Sequence, residues 1–119
     1  MGTMTEMVVS RAVVGGVCVV RLRGEVEAGE DGGGLAAALV PGGRATVVDL
    51  SDVSFADSSL LHELLHAQRL HTAAGLPLVL AAPSPPVARL LDITNTFDAF
   101  AVAATPEEGL RRAAESARR

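Results

Sequence analysis

Two short stretches carry residue types that can do chemistry. The first is His62-Glu63-Leu64-Leu65-His66, a match to the HExxH pattern of zinc proteases. Histidines at i and i+4 share one helix face and can hold a zinc ion, while the glutamate can activate a metal-bound water. The extended pattern, with a glycine and a third histidine, fails because Arg69 and Thr72 stand at those positions. Glu107, Glu108 and Glu115 could add a ligand only from the far C-terminal segment, where no matching motif exists. The second stretch is Asp57-Ser58-Ser59, between a strand-like run and a helical pattern. Asp57 or Ser58 there can cap the helix by accepting a hydrogen bond from a free backbone N–H. A serine at the same place also suits phosphorylation, because the positive end of a helix tolerates a phosphate that changes what can dock nearby. A nucleophilic hydrolase is not indicated, since the chain has no Gly-x-Ser-x-Gly turn. Gly32-Gly33-Gly34 lacks the Gly-Lys-Ser/Thr ending of a phosphate-binding loop.

The elements that must position these residues follow from periodicity and turn chemistry. Met7 to Val14 and Val17 to Leu22 are β-branched runs joined by Gly15-Gly16, and this predicts a tight hairpin. Arg23 to Glu27 is expected to leave the second strand. A Gly-rich piece, Gly29 to Gly34, then leads into the helix former Leu35-Ala36-Ala37-Ala38-Leu39. Pro41-Gly42-Gly43 turns the chain into Ala45 to Leu50, a continuous apolar run suited to a strand buried on both faces. A short loop is expected from Leu50 to Asp57. In the helical pattern that follows, Leu60, Leu61, Leu64, Leu65 and Ala67 fall within a sector of about 160° at 100° per residue. His62, His66 and Arg69 gather opposite, which turns both histidines of the HExxH match toward water. Gly75 to Ala82 predicts another buried strand, Ser84-Pro85-Pro86-Val87 another helix start, and Phe97 to Ala103 a last strand. Thr105-Pro106-Glu107-Glu108 has capping-box spacing and opens a final helix. A hairpin followed by alternating helices and strands predicts one α/β domain. Its expected form is a mixed, mostly parallel sheet of about five strands covered by about four helices. Residues 1–6 are expected to be a flexible N-terminus ahead of a single domain spanning 7–119.

Composition narrows the function. The chain has 119 residues, 49% hydrophobic and 20% charged, enough for one core without disulfides or metals. Three Phe, no Trp and no Tyr leave little for stacking bases or sugars. A formal net charge of -4 argues against nucleic acid, whose phosphates need a basic footprint. Arg111, Arg112, Arg118 and Arg119 alternate with Glu and Ala, and read as cations placed against the C-terminal end of a helix dipole. The single Cys18 lies in an apolar run and is expected to be a small buried hydrophobe. No secretory signal and no membrane-length apolar stretch is visible, so the expectation is a soluble cytoplasmic protein without membrane association.

The Asp57-Ser58-Ser59 motif, following Val47-Val48-Asp49-Leu50 and Val53-Ser54-Phe55, resembles the STAS domain of anti-sigma-factor antagonists. Members of that family typically read Asp-Leu-Ser-x-Val-x-Phe-x-Asp-Ser-Ser-Gly-Leu at this place. Leu22-Arg23-Gly24-Glu25-Val26-Glu27 is similar to the family's Leu-x-Gly-Glu-Leu-Asp segment, and Ala73-Ala74-Gly75 with Leu78-Val79-Leu80 to its Gly-then-strand segment. Ser84 to Thr94 is similar to its Ser-Pro-x-Val-x-Arg-x-Leu helix. The resemblance implies a STAS-like α/β domain that binds a kinase-type anti-sigma factor and so frees a sigma factor. It further implies phosphorylation of Ser58 by that partner with its own ATP, and resetting by a serine phosphatase. The chain would then be a substrate and not an enzyme, with no cofactor of its own. Its partner-binding residues would be Glu25, Glu27, Asp57, Ser58, Ser59, His62 and His66. Two positions depart from the pattern. Leu60 stands where the family has Gly, and its bulk is expected beside the hydroxyl of Ser58. Glu27 replaces the usual Asp, and the Thr expected shortly after it is missing. The alternatives are a STAS scaffold module of another regulatory assembly, working without phosphorylation, and more remotely an HExxH zinc hydrolase.

Overall fold

The computed structural model describes residues 8–26 and 35–117. Residues 1–6, Met7, Glu27, the Gly29 to Gly34 stretch, Arg118 and Arg119 lie outside the described residues. The chain opens with β1 (Val8–Val14) and β2 (Val17–Val26), antiparallel, with Val14 opposite Val17. Gly15 and Gly16 both have positive φ, 57° and 81°, the left-handed region that this two-residue loop requires and that glycine adopts without strain. A short helix, α1 (Leu35–Ala38), leads to β3 (Thr46–Ala56) and then to α2 (Ser58–Ala74). β4 (Leu78–Ala81), α3 (Pro85–Ile93), a 3-10 turn (Phe97–Ala99), β5 (Ala101–Ala103) and α4 (Pro106–Ala117) complete the order. The five strands form one sheet in sequential order; β1 is antiparallel to β2 and the remaining neighbours are parallel. This is the mixed, mostly parallel α/β sheet that the sequence predicts.

Several boundaries differ from the sequence expectation, each for a physical reason. β2 does not end at Leu22, and β3 does not give way to a loop at Leu50. The two strands continue together, with Arg23 opposite Asp52, Gly24 opposite Val53, Glu25 opposite Phe55 and Val26 opposite Ala56. Register shifts between Arg21 and Arg23 and between Gly24 and Glu25 absorb the mismatch, as bulges do. Gly24 itself takes a φ of 86° there. The polar residues between Ser51 and Ser54 read as a loop by hydropathy, which does not register hydrogen bonds from a neighbouring strand. β4 is confined to Leu78–Ala81, since Gly75 caps α2. The expected last strand divides into the 3-10 turn and β5.

Alternation along the strands sorts the core into two layers. Val20, Leu22, Val48, Leu50, Leu78 and Leu80 face α1, α2 and α3, whose Leu35, Leu60, Leu64, Val87 and Leu91 complete the larger core. Val17, Val47, Val79, Ala81 and Ala103 face the other way and pack under Ala113 of α4. Gly109 lets α4 approach closely: a Cβ there would stand 3.2 Å from both the Cβ of Ala81 and Cγ1 of Val47.

The helix ends follow local chemistry. α2 begins at Asp57, whose side chain accepts from the Ser59 N–H at 3.0 Å, and ends at Gly75 with φ 72°. The Leu76 N–H then bonds to the His71 carbonyl at 2.8 Å, closing the last turn in the manner of a Schellman motif. Ser84 occupies the cap position of α3 without a side-chain cap bond, and its hydroxyl oxygen is buried without a partner among the described residues. Pro86 has no N–H at the position such a hydroxyl usually reaches. At α4, Thr105 Oγ1 accepts from the Glu108 N–H at 3.1 Å. The Glu108 carboxylate reaches back to the Ala104 N–H at 2.7 Å, one residue before the usual capping-box donor.

Candidate functional site

β3 delivers the Asp57-Ser58-Ser59 segment to the end of the sheet where β2 also terminates. Asp57 fixes the first turn of α2 twice over. Its backbone carbonyl accepts from the Leu60 N–H at 3.1 Å and from Leu61 at 3.4 Å, while its carboxylate takes the backbone N–H of Ser59. The Ser59 hydroxyl also donates to that carboxylate, and Ser59 is half-buried. Ser58 is different: it is the first residue of α2, it is exposed, and its hydroxyl makes no hydrogen bond among the described residues. Of the adjacent serines, Ser58 therefore has the exposed hydroxyl, and the Ser59 hydroxyl is engaged with Asp57. The helix N-terminus favours added negative charge at this point.

Leu60 is fully buried in the larger core. The expectation that its bulk crowds the Ser58 hydroxyl is thus corrected: at 100° per residue, two positions on, the side chain turns inward to pack against the sheet. The leucine that replaces the family glycine is a core residue.

The remaining predicted residues divide between the same surface and places outside it. Glu25 is exposed at the end of β2 and lies opposite Phe55, beside the last strand residues before Asp57. Glu27 lies outside the described residues. His62, one turn along α2 from Ser58, and His66, a turn further, are both exposed, as is Arg69. Leu60, Leu61, Leu64 and Ala67 are buried on the opposite side, with Leu65 partly buried. The HExxH match therefore looks outward, and among the described residues no group of three or more His, Cys, Asp or Glu gathers where a metal could sit.

Two features near this helix were not anticipated. Phe55 is 43% exposed. With Ser54, Ala56, Pro85, Pro86 and Arg89 it lines a groove of about 340 Å³ between the end of β3 and the start of α3. Only the parallel pairing of β3 and β4 brings α3 beside Phe55, so no local signal could reveal the groove. His71 is completely buried. Its Nδ1 donates to the Ala67 carbonyl at 2.8 Å, and its Nε2 pairs with the Thr46 hydroxyl at 2.8 Å, tying α2 to β3. A sequence signal for this existed, because positions 60, 64, 67 and 71 repeat along one helix face. Asp49, in the strand before the motif, is buried beneath Arg21 at 3.2 Å and accepts from Ser51 through both its N–H and its hydroxyl. A second cavity, of about 450 Å³, includes Gln68, Thr72 and Arg112 and lies at the C-terminal end of α2, away from Ser58.

Known proteins share this architecture. An anti-sigma-factor antagonist (STAS) domain protein from Planctomyces limnophilus superposes with a TM-score of 0.73 at 22% identity, covering 89% of this chain and 97% of the other. Moorella thermoacetica RsbS carrying a serine-to-glutamate substitution gives 0.71 at 23% identity over 93% and 98% of the two chains. SpoIIAA, an anti-sigma factor antagonist in its unphosphorylated form, gives 0.67 at 23% identity over 90% and 95%. No curated protein matches the sequence significantly. The family model described as "Mlab, STAS domain" matches residues 10–98, from within β1 to the 3-10 turn, and the chain belongs to the STAS domain family.

Proposed function

We propose that this chain is an anti-sigma-factor antagonist that binds a kinase-type anti-sigma factor, thereby frees a sigma factor, and is switched off by phosphorylation at Ser58. The observation that carries the reading is the exposed Ser58 hydroxyl, without a hydrogen bond among the described residues, at the start of α2. Asp57 has the capping role and Ser59 supports it. Resemblance to SpoIIAA in its unphosphorylated form and to a serine-to-glutamate RsbS supports the same reading. The partner supplies ATP, and a serine phosphatase restores the free hydroxyl. The chain acts in the cytoplasm as a substrate and binding module, not as an enzyme. No helix among the described residues is long and apolar enough to cross a membrane. Partner contact spreads from Ser58 to Glu25, Glu27, Asp57, Ser59, His62 and His66. Phosphorylation adds about −1.5 to −2 charges beside Asp57. The partner would then have to desolvate that charge in order to stay bound.

The test is a partner-binding titration and a kinase assay on three variants. Ser58→Ala should bind the anti-sigma factor and take no phosphate. Ser58→Asp should fold but bind weakly. Ser59→Ala should still be phosphorylated. Phosphate on Ser59, or equal binding by Ser58→Asp and Ser58→Ala, would exclude the switch. The family match specifies the STAS domain and not a phosphorylation cycle, which leaves a second reading, a STAS scaffold module of another regulatory assembly working without phosphorylation. That reading gains if Ser58 carries no phosphate in cells.

A further inference from the structure

The two edges of the sheet are treated differently. β5 is only three residues long, and Arg112 Nη1 donates to its Val102 carbonyl at 2.6 Å. Because Ala103 accepts from Ala82 on the inner side, Val102 faces outward, and the arginine covers the backbone of that edge. Such capping is one way sheets avoid pairing with foreign strands. β1 has no comparable device. It is seven residues long, contains no proline, and nothing among the described residues pairs with its outer side. Its one basic residue, Arg11, is exposed while its Nε donates to Cys18 Sγ at 3.1 Å, so it lies along the strand and leaves the outer backbone groups uncovered. Val13 and Val14 are 57% and 47% exposed.

The hairpin fixes which backbone groups are open. Val14 and Val17 flank a two-residue loop, so they exchange hydrogen bonds, and the pairs alternate from there. Cys18, opposite Val13, instead donates its N–H to Ala45 on β3. Val9, Arg11 and Val13 accordingly point their N–H and C=O groups off the sheet.

We propose that β1 pairs antiparallel with β1 of a second copy of this chain, on a two-fold axis at Ala12, joining the two sheets. This register is chosen by charge and shape. An axis at Arg11 would set Arg11 against Arg11 of the other copy, a like-charge pair that destabilises strands. An axis at Ala12 sets Arg11 against Val13 of the other copy, with reciprocal backbone hydrogen bonds in both directions. Ala12 then meets Ala12 in a closely spaced non-hydrogen-bonded pair, where only small side chains face one another. The same axis brings Val14 opposite Ser10 of the other copy. There a groove of about 240 Å³, lined by Ser10, Arg11, Ala12, Val14, Val19 and Arg21, can receive it. So short a strand pairing makes a small interface, and the dimer is weak and concentration-dependent.

Sedimentation equilibrium of the full chain from micromolar to millimolar concentration tests the proposal. A reversible monomer–dimer equilibrium is expected, and a monomer throughout overturns it. Val13→Glu, opposite Arg11 of the other copy, should tighten the dimer by roughly tenfold, and Val13→Lys should weaken it by a similar factor, from two symmetric cross-strand pairs. Equal shifts with both substitutions would overturn the register. Ala12→Cys should form an intermolecular disulfide under mild oxidation far faster than Ser10→Cys, because only at the axis do identical residues lie within disulfide reach. Comparable rates at both positions would likewise overturn it.

Discussion

At the scale of single residues, α2 separates core from surface sharply enough to be tested. Leu64 is fully buried and His66 is exposed. Leu64→Ala should lower stability by about 2–5 kcal/mol, and His66→Ala should stay within about 0.5 kcal/mol. Urea unfolding followed by far-UV circular dichroism reads both, since the chain has no Trp or Tyr to report by fluorescence. Leu60 belongs with Leu64. Leu60→Gly should cost about 3–6 kcal/mol, combining a core cavity with the poor helix propensity of glycine, and should not speed phosphorylation. Faster phosphate incorporation in a fully folded Leu60→Gly protein would mean that Leu60 points outward. His71→Ala should also be costly, about 2–4 kcal/mol, because it opens a cavity and leaves the Thr46 hydroxyl without its partner. His62 and His66 give a different expectation. With no third ligand near them among the described residues, protein purified without chelator should carry well under one equivalent of zinc by elemental analysis.

At the scale of elements, the close approach of α4 depends on small residues on both sides. Gly109 packs on Ala81, Val47 and Ala103. Gly109→Leu should push the helix off the sheet and cost about 1–3 kcal/mol as overpacking, measurable as a fall in the urea midpoint. The extension of β3 to Ala56 is the other decisive feature of this kind. It places Phe55 and the start of α2 at one end of the sheet, beside Glu25 and the first turn of α3. Had β3 ended at Leu50, as hydropathy suggests, Asp57 would hang on a loop and the Ser58 hydroxyl would have no fixed surroundings. The paired continuation of β2 and β3 holds it still.

At the scale of the whole molecule, two cores share one sheet, so damage to either should be felt by both. Ala113, on α4, is fully buried against the sheet. Ala113→Asp places a charge there, and removing α4 from the sheet exposes Val47 and Val79 on the same strands that carry Val48 and Leu80. The expected outcome is a loss of at least about 3 kcal/mol. Amide exchange should report that loss on β3 and β4 together, not on α4 alone.

Legible in the residues alone were the order of elements, the Gly15-Gly16 hairpin, the buried leucine side of α2, a helix start at Asp57 or Ser58, and another at Thr105. These depend on periodicity and capping, which act over a few residues and so are written locally. Tertiary structure decided what those signals could not carry. The length of β3 depends on hydrogen bonds from β2, residues whose pairing partner lies far away in the chain. The pairing of His71 with Thr46 and the groove beside Phe55 depend on which faces meet once the sheet assembles. That β1 lies at the sheet margin with no pairing partner on its outer side among the described residues, against the covered edge of β5, follows from strand order, and a strand's own residues do not say whether it ends up at the centre of a sheet or at its margin.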